Sequence, residues 1–474
     1  MPGLFGTLGI GTSSLQTQRT GIQVAGQNLA NVNNPTYSRQ RAVIESAPAI
    51  PTAQGIYGSG VQVTNVTQVR DQLLDRQITA EHSLNGYWDA RQRGLDFAQS
   101  DLGQLIDTQG SGSNSVEGAN GVGGQQGIAQ ALLDVFNGFQ SVATSPTSLA
   151  ERQSLVSQAE TLASRLQNTD RRLGDLATSL NETVVSDVSE ANGLLSVIAR
   201  LNDDIARSEV SGSVRANDLR DLRQARVEDL AKLVNITTTT ASNGAVSVVI
   251  GGITMVDQGN LTETLETYDD ASGRTFVRAA SSGTPLTLTS GRVQGSIEAR
   301  DESIADLRNG LDRMAALLIT EVNAIHTSGY GLNGTSGKAF FQGTGSADIS
   351  VNSELVTDPS LVQAADAPGE SGNNSVALSL SQLRDKPLAA LNNQTFLQDY
   401  NRTASRLGQD LVNANNRLSD QETIMTMLGT QRAAVSGVSL DEEMSDLVKF
   451  QQAFAASARL LRTVDEMLTT LVNL

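Results

Sequence analysis

The sequence has no cysteine, one tryptophan and only two histidines among its 474 residues. The lack of cysteine excludes disulfides, thiolate catalysis and cysteine-ligated zinc. His82 and His326 are far apart in the sequence, and neither belongs to an H-E-x-x-H motif, so we predict structural roles for both and no metal site. Aromatic residues make up 4% of the chain, which favours aliphatic helix seams over large aromatic pockets.

Extended basic or apolar runs are also missing. The formal net charge is −17, and a nucleic-acid binder would need a basic face, so no nucleic-acid partner is predicted. No stretch approaches ~18 consecutive apolar residues, so no membrane span is predicted. The N-terminus lacks the basic and apolar regions of a Sec-type signal peptide.

Catalytic motifs are absent or stand in the wrong context. The G-x-G-x-x-G match at 329–334 follows an amphipathic helix instead of a strand, so we interpret it as a turn and not as a nucleotide site. The glycine-rich run 118–127 lacks the G-K-[ST] ending of a P-loop, which favours a plain loop. The acidic run 441–443 is typical of a helix N-terminus, and Asp269 with Asp270 is typical of a turn. We therefore predict no enzyme and no cofactor.

The sequence does have apolar residues at intervals of seven near both ends, which predicts two coiled-coil helices. Ser439 and Glu442 form an S-x-x-E capping box at the start of the C-terminal helix, which should run nearly to Leu474. We predict that the two helices pair with each other and with neighbouring subunits. The predicted assembly-interface residues are Leu8, Leu15, Ile22, Leu29, Leu440, Leu447, Phe450, Phe454, Leu461, Val464, Leu468 and Leu471.

The N-terminal helix is also rich in glycine, for example at positions 9, 11, 21 and 26. At ~1 kcal/mol each, interior glycines oppose an isolated helix, so we expect this segment to order only when it is packed. Residues 1–44 contain three arginines and no acid, whereas 438–474 contain six acids and three bases. Because exposed ion pairs contribute only ~0–1 kcal/mol, this opposite charge should set orientation more than strength.

The N-terminal helix should stop at the residues around Asn34 and Pro35, because the residue before proline is disfavoured in the α conformation. Strand-like segments follow at 39–46 and 58–69. We predict that Asn34, Pro35, Tyr37 and Arg39 form a hinge between the terminal helix and the next domain.

The middle of the chain alternates between helical and strand-like segments. Apolar periodicity predicts helices over about 149–205, 217–234, 304–325 and 396–428, and 236–295 contains short strands with glycine and asparagine turns. The predicted fold is mainly α with a β insert. Its domains are a terminal coiled-coil domain (1–42 with 432–474), a long-helix bundle with short strands (43–235 with 296–431) and an outer β domain (236–295).

Four stretches carry a family resemblance: NLAN at 28–31 with NPTYSRQ at 34–40, NDLRDLRQARVEDL at 217–230, EVNAIHTSGYGLNG at 321–334, and GVSLDEE at 437–443 with KFQQAF at 449–454. Together they resemble the flagellar axial proteins, and most of all the hook-associated members that join hook to filament. Thr36 stands where the family commonly has glycine, and threonine disfavours positive φ, so we expect a turn that does not require glycine. Gly331 also replaces the usual acid.

The resemblance implies a structural protein of the bacterial flagellum that is exported unfolded by a type III pathway and lies outside the cell. It implies self-association in a helical array on the hook protein, a second hook-associated junction protein as neighbour, and an export chaperone that binds the C-terminal helix. Other interpretations stay open: another flagellar axial protein, a secreted binding module carried by the β insert, or an enzyme of unrecognised type.

Overall fold

The computed structural model describes residues 3–52, 55–102, 127–210, 215–241 and 243–473. Its longer helices are α1 (Leu4–Ala30), α2 (Gln72–Asp101), α3 (Ile128–Thr144), α4 (Leu149–Ser208), α5 (Asn217–Leu233), α6 (Arg292–Glu298), α7 (Ala305–His326), α8 (Ser353–Thr357), α9 (Ser375–Gln382), α10 (Phe396–Ser436) and α11 (Leu440–Val472). A π-helical turn, Ala299–Ile304, joins α6 to α7, and 3₁₀ turns lie at Pro359–Leu361 and Ala389–Leu391.

The strands are short and antiparallel. They are β1 (Gln40–Ser46), β2 (Ile50–Thr52), β3 (Gly55–Tyr57), β4 (Val61–Gln68), β5 (Thr237–Thr240), β6 (Val246–Ile250), β7 (Ile253–Asp257), β8 (Asn260–Leu261), β9 (Leu265–Asp269), β10 (Thr275–Ala279), β11 (Phe341–Gln342) and β12 (Ser350–Val351). The β5–β8 strands form one sheet in chain order, and the remaining strands pair as β1–β4, β2–β3, β9–β10 and β11–β12. The prediction of a mainly α fold with small β elements is confirmed.

The main core lies among α3, α4, α7, α9 and α10. α4 is 60 residues long and begins at Ser148, whose hydroxyl accepts from the Glu151 amide. Phe340 is fully buried against Phe139, with ring centroids 5.0 Å apart. α10 begins with a complete capping box between Thr395 and Gln398. These helices bury their apolar faces within one chain.

The two long helices α2 and α3, together with the short helices α6, α8 and α9, have no counterpart among the predicted helices. α2 packs against α5, α6 and α10 largely through small residues such as Ser83, Gly86, Ala90 and Gly94. A Cβ on Gly86 would lie 2.1 Å from the Lys232 carbonyl oxygen, so the glycine allows the helices to approach closely. A seam of small residues has no apolar periodicity, and for this reason the sequence pattern did not reveal it.

The β5–β10 region shares its core with α4 and α5. Asn192 on α4 donates to the Leu265 carbonyl and accepts from the Leu265 amide, both at 2.8 Å. Further along α4, Asn202 likewise donates to the Val246 carbonyl and accepts from the Val246 amide. Helix α6 starts at Arg292, within the predicted β insert. The strands are therefore fastened to the long helix along its side.

Asp187, which interrupts the leucine spacing of α4, is buried and accepts two hydrogen bonds from Arg292, at 2.8 and 2.6 Å. The helix continues through it because the arginine supplies the opposite charge that a buried carboxylate requires.

The first and last helices, α1 and α11, pack side by side and are called the terminal pair below. Their contacts run in opposite directions: Gly11 faces Leu461, whereas Asn28 meets Glu443. The pair is therefore antiparallel. Strands β1 to β4 form one long hairpin, the β arm, which leaves the end of α1 and runs back along it, so that the Val61 carbonyl lies 3.5 Å from the Thr17 hydroxyl.

Candidate functional site: the terminal helix pair and its hinge

Small residues of α1 form the seam of the terminal pair. A Cβ on Gly21 would lie 2.7 Å from the Phe450 ring, and one on Gly11 would lie 2.7 Å from Leu461. Ser14 and Ser457 share a hydrogen bond of 2.8 Å across the seam. Gly11 and Gly21 therefore leave room for large side chains of α11 instead of only opposing the helix.

The predicted leucine seam of α1 is shifted by one residue from the observed seam. Gly21 and Asn28 are buried, whereas Ile22 and Leu29 directly after them are only partly buried. A step of one residue turns a helix by about 100°, so the predicted residues lie beside the seam. The whole set Leu8, Leu15, Ile22 and Leu29 shares this partly buried position.

The predicted residues of α11 divide into three groups by burial. Val464 is buried, at 4% exposure, and a second, partly buried group lies along the seam: Leu447, Phe450, Leu461 and Leu468. The other three remain exposed: Leu440 at 51%, Phe454 at 38% and Leu471 at 63%. Since α1 covers one side of α11, these three residues are apolar side chains without a cover in the single chain.

One flank of the terminal pair collects many of the uncovered apolar residues. On α11, Met444 and Val448 are 48% and 46% exposed and directly follow the seam residues Glu443 and Leu447. The two helices of an antiparallel pair are related by a two-fold axis perpendicular to the plane that contains them. A step of one residue beyond the seam turns each helix by about 100°, so on both helices it leads to the same flank. This leucine flank consists of Leu8, Leu15, Ile22, Leu29, Leu440, Met444 and Val448.

Asn28 is the centre of the hinge, although the sequence analysis did not single it out. It is 1% exposed. Its amide nitrogen donates to the Gln40 carbonyl at 2.9 Å and to the Glu443 carboxylate at 3.0 Å. Its amide oxygen accepts from the Tyr37 hydroxyl at 2.8 Å and from the Gln40 amide at 3.0 Å. One side chain therefore joins α1, the start of β1 and α11.

The turn between α1 and β1 has the geometry expected without glycine. The Tyr37 amide donates to the Asn34 carbonyl at 3.1 Å, with Pro35 and Thr36 between them. The Asn34 side-chain oxygen accepts from the Thr36 amide at 3.2 Å and from its hydroxyl at 2.9 Å. Thr36 is not among the described residues with positive φ, so threonine fits where glycine is common.

Arg39 connects the hinge to the start of α11. Its guanidinium lies 2.5 Å from Glu442 and 2.7 Å from Glu443, whose side chain is 4% exposed. Burial opposes the charge of Arg39, but these two carboxylates prevail and raise its pKa. Ser439 caps α11, with its hydroxyl accepting from the Glu442 amide, while the Glu442 carboxylate pairs with Arg39. The Arg39 amide also donates to the Ser436 carbonyl at 2.8 Å.

Helix α5 binds both segments that connect the terminal pair with the bundle. Asp221 accepts from the Ser38 amide at 3.0 Å and from its hydroxyl at 2.8 Å. Two turns later, Glu228 accepts from Arg432 near the end of α10 at 2.9 and 3.0 Å. The outgoing and returning segments are thus fixed to one helix, and three of the four resembling stretches meet at this hinge.

Tyr37 stays protonated in this setting. Burial raises its pKa above the usual value, and Asp218, Asp221 and Glu443 raise it further by charge. The hydroxyl therefore remains a hydrogen-bond donor to Asn28 at any physiological pH.

Both histidines occupy structural positions. His326 is fully buried: Nδ1 lies 2.7 Å from the Lys338 carbonyl, and Nε2 accepts from the Gln363 amide at 2.9 Å. Burial lowers its pKa to about 4. His82 lies 3.9 Å from Glu228. The described residues contain no group of three or more His, Asp or Glu arranged to hold a metal ion.

The remaining sequence motifs have plain structural roles. The 329–334 stretch is a turn, in which the Gly331 amide donates to the Thr335 carbonyl at 2.8 Å. Asp270 accepts from the Ser272 and Arg274 amides, which confirms the predicted turn, and 441–443 forms the first turn of α11. Most of the run 118–127 lies outside the described residues. Of the described helices, none has a sufficiently long apolar stretch to cross a lipid bilayer.

Comparison with known proteins gives a consistent result along the chain. Residues 114–341 match the flagellar hook-associated protein FlgK helical domain, and 426–474 match the flagellar basal body rod FlgEFG protein C-terminal region. The flagellar hook-associated protein 1 of Bacillus subtilis is 25% identical, with 97% of this chain and 96% of the relative covered. That of Salmonella typhimurium is 23% identical, with 98% of each chain covered.

The chain is therefore similar over nearly its whole length to the FlgK family of flagellar hook-associated proteins. A solved structure of the flagellar hook junction protein FlgK from Burkholderia pseudomallei also matches, with 24% identity and a TM-score of 0.47. That match spans 56% of this chain and less than half, 46%, of the solved one. FlgK-family proteins are structural components of the flagellum, which agrees with the function predicted from the sequence.

Proposed function

We propose that this chain is a structural subunit of the junction between flagellar hook and filament, and that it polymerises through its terminal pair. The observation that carries the proposal is the leucine flank. It leaves Leu440, Met444 and Val448 about half exposed beside a helix pair that has no large apolar core of its own. Burying one large apolar side chain contributes ~1.5–3 kcal/mol, so covering this flank with another subunit would supply much of the free energy of assembly.

The hinge gives the terminal pair a defined direction. Asn28 and Arg39 join the pair to β1, and Asp221 joins β1 to the bundle. A subunit with a fixed angle between pair and bundle presents the same surface at every addition, and repeated heterologous contacts generate a helical array.

The partners are suggested by the similarity to the FlgK family and are part of the proposal. The hook protein and a second hook-associated junction protein would be the axial neighbours. A chaperone would bind α11 before export, because Leu460, Met467 and Leu471 are 42%, 51% and 63% exposed on a second flank of that helix. The chain would leave the cell unfolded, and its role would be structural and not enzymatic.

A matched pair of substitutions tests the role of the leucine flank. Ile22→Asp places a charge on the flank, whereas Gln23→Asp places the same charge on the exposed residue beside it. We expect Ile22→Asp to reduce polymer yield at least tenfold in a sedimentation assay and Gln23→Asp to leave it near wild type. Equal polymer yields from both variants would remove the support for a role of this flank.

A test in cells addresses the junction itself. Deletion of residues 461–474 removes the end of α11, and we expect hooks without filaments and flagellin shed into the medium. Normal filaments in that strain would contradict the proposed function.

A further inference from the structure

The two ends of the terminal pair differ in a way that the leucine flank does not explain. At the hinge end, a cleft of about 830 Å³ opens between α1, β1 and α11. Its apolar walls include Val24, Val43, Ile44 and Phe450. We call it the hinge cleft.

At the other end, the β arm carries an exposed apolar tip. Ile50 and Ile56 are 56% and 78% exposed, on strands β2 and β3. The arm starts beside Asn28, passes Thr17 and reaches Ser13 at Gly60, where a Cβ would lie 2.8 Å from the Ser13 hydroxyl oxygen. The arm therefore carries its tip toward the N-terminal end of α1.

The tip and the cleft cannot meet within one chain. α1 has 27 residues, which at 1.5 Å per residue separates its ends by about 40 Å. Exposed clusters of large apolar side chains commonly mark interaction sites, and clefts of ~300–1,000 Å³ have room for small apolar groups. The apolar tip and the partly apolar cleft lie toward opposite ends of α1. A second copy that is shifted along the terminal pair would therefore bring its cleft to the tip of the first copy.

We infer that the arm tip of one copy of this chain, Ile50 and Ile56, docks into the hinge cleft of a second copy. The inference rests on the proposed function and adds an axial contact to the lateral one at the leucine flank. Each copy contributes one tip and one cleft, so the contact is heterologous and does not close on itself. The exposed Arg41 and partly exposed Asp446 at the edge of the cleft give the interface a polar rim, as is usual around an apolar centre.

The absence of cysteine from the sequence allows a clean crosslinking test. Copies with Ile56→Cys are mixed with copies carrying Ile44→Cys, assembled and oxidised. The matched control replaces the second variant with Leu222→Cys on α5, because Ile44 and Leu222 are both 41% exposed. We expect the mixed dimer of the first combination to exceed that of the control at least tenfold, and only in assembled material.

The outcomes separate this inference from the proposed function. Wild-type chains that do not polymerise at all contradict the proposed function. Normal polymer in which the two mixed dimers form equally, or in which Ile56→Cys crosslinks mainly to itself, overturns the arm-to-cleft contact and leaves the proposed function standing.

A second measurement does not depend on crosslinking. A chain with Ile50→Ser and Ile56→Ser has a defective tip and an intact cleft. It should accept a wild-type tip and prevent the next addition, so a tenth of this variant in the mixture should shorten wild-type polymers severalfold. Unchanged polymer length, with the variant shown to be folded by its thermal transition, would contradict the inference.

Discussion

The bundle and the terminal pair are both built from long helices, but they differ in how many apolar side chains they bury within one chain. α4 alone buries Leu155, Leu162, Leu166 and Leu173 completely. Within the described residues, α1 and α11 together bury two apolar side chains, Ala25 and Val464. The bundle has a large buried core within one chain, whereas the terminal pair buries little apolar surface and leaves a flank that a neighbour could cover. Folding and assembly are therefore divided between two regions.

Removal of a large side chain should separate these regions most clearly. Phe340→Ala leaves a cavity beside Phe139 in the bundle core, and we expect the free energy of unfolding to fall by about 3–5 kcal/mol. Phe454→Ala on the exposed side of α11 should change the stability of the monomer by less than about 1 kcal/mol and should lower polymer yield. Urea denaturation and sedimentation measure the two effects. A large loss of monomer stability in Phe454→Ala would contradict the division.

Acid should act on the bundle through His326. Its pKa is lowered to about 4 in the folded chain against ~6.5 when unfolded, so the unfolded state binds a proton first as the pH falls. The contribution of neutral His326 to the free energy of unfolding is fully present above pH ~6.5. It decreases by about 3 kcal/mol between that pH and pH ~4.

The check is urea denaturation of the wild type and of His326→Gln at pH 7 and pH 4.5. The variant should lose less stability on acidification than the wild type. An equal pH dependence in both proteins would show that another group is responsible.

Two arginines that are two positions apart, Arg39 and Arg41, should test the ion pairs of the hinge. Arg39→Ala leaves the buried Glu443 carboxylate without its cation, and we expect about tenfold faster protease cleavage within α11 of the monomer, equivalent to ~1.4 kcal/mol of local stability. Arg41→Ala, at an exposed residue of strand β1, should leave cleavage unchanged. If both variants behave alike, the Arg39 ion pairs do not hold α11.

The glycines of α1 should give the smallest effects, and of opposite sign. Gly21→Ala pushes a methyl group into Phe450, whereas Gly26 has no atom within 4 Å of an added Cβ. Gly21→Ala should therefore weaken the pair, and Gly26→Ala should stabilise α1 by about 0.5–1 kcal/mol. Amide exchange of α1 in the monomer measures both. The same direction of change in the two variants would exclude close packing as the role of Gly21.

Local signals in the sequence predicted much of the bundle. The helices α4, α5, α7 and α11 lie close to their predicted ranges, and α10 continues to Ser436, beyond the predicted end. Periodicity and capping depend on residues a few positions apart, and both can be recognised in one sequence. The predicted pairing of the terminal helices is confirmed, and the predicted domain limits stay proposals.

The details of the site could not be predicted in the same way. The seam of α1 is made mainly of small or polar residues, among them Gly11, Ser14, Gly21 and Asn28. Such residues give no apolar signal, and the predicted leucines lie beside them. Asn28 contacts Glu443, 415 residues later, and Asp221 contacts Ser38, 183 residues earlier. No local pattern indicates such contacts. The resembling stretches around both residues gave a hint, because separate sequence motifs often meet at one place.

Hydrogen exchange of the monomer and of the polymer, compared helix by helix, tests the central claim most directly. The account predicts weak protection of α1 and α11 in the monomer, strong protection of both in the polymer, and equal protection of α4 and α7 in the two states. Terminal helices already as protected in the monomer as α4, with no gain on assembly, would contradict it.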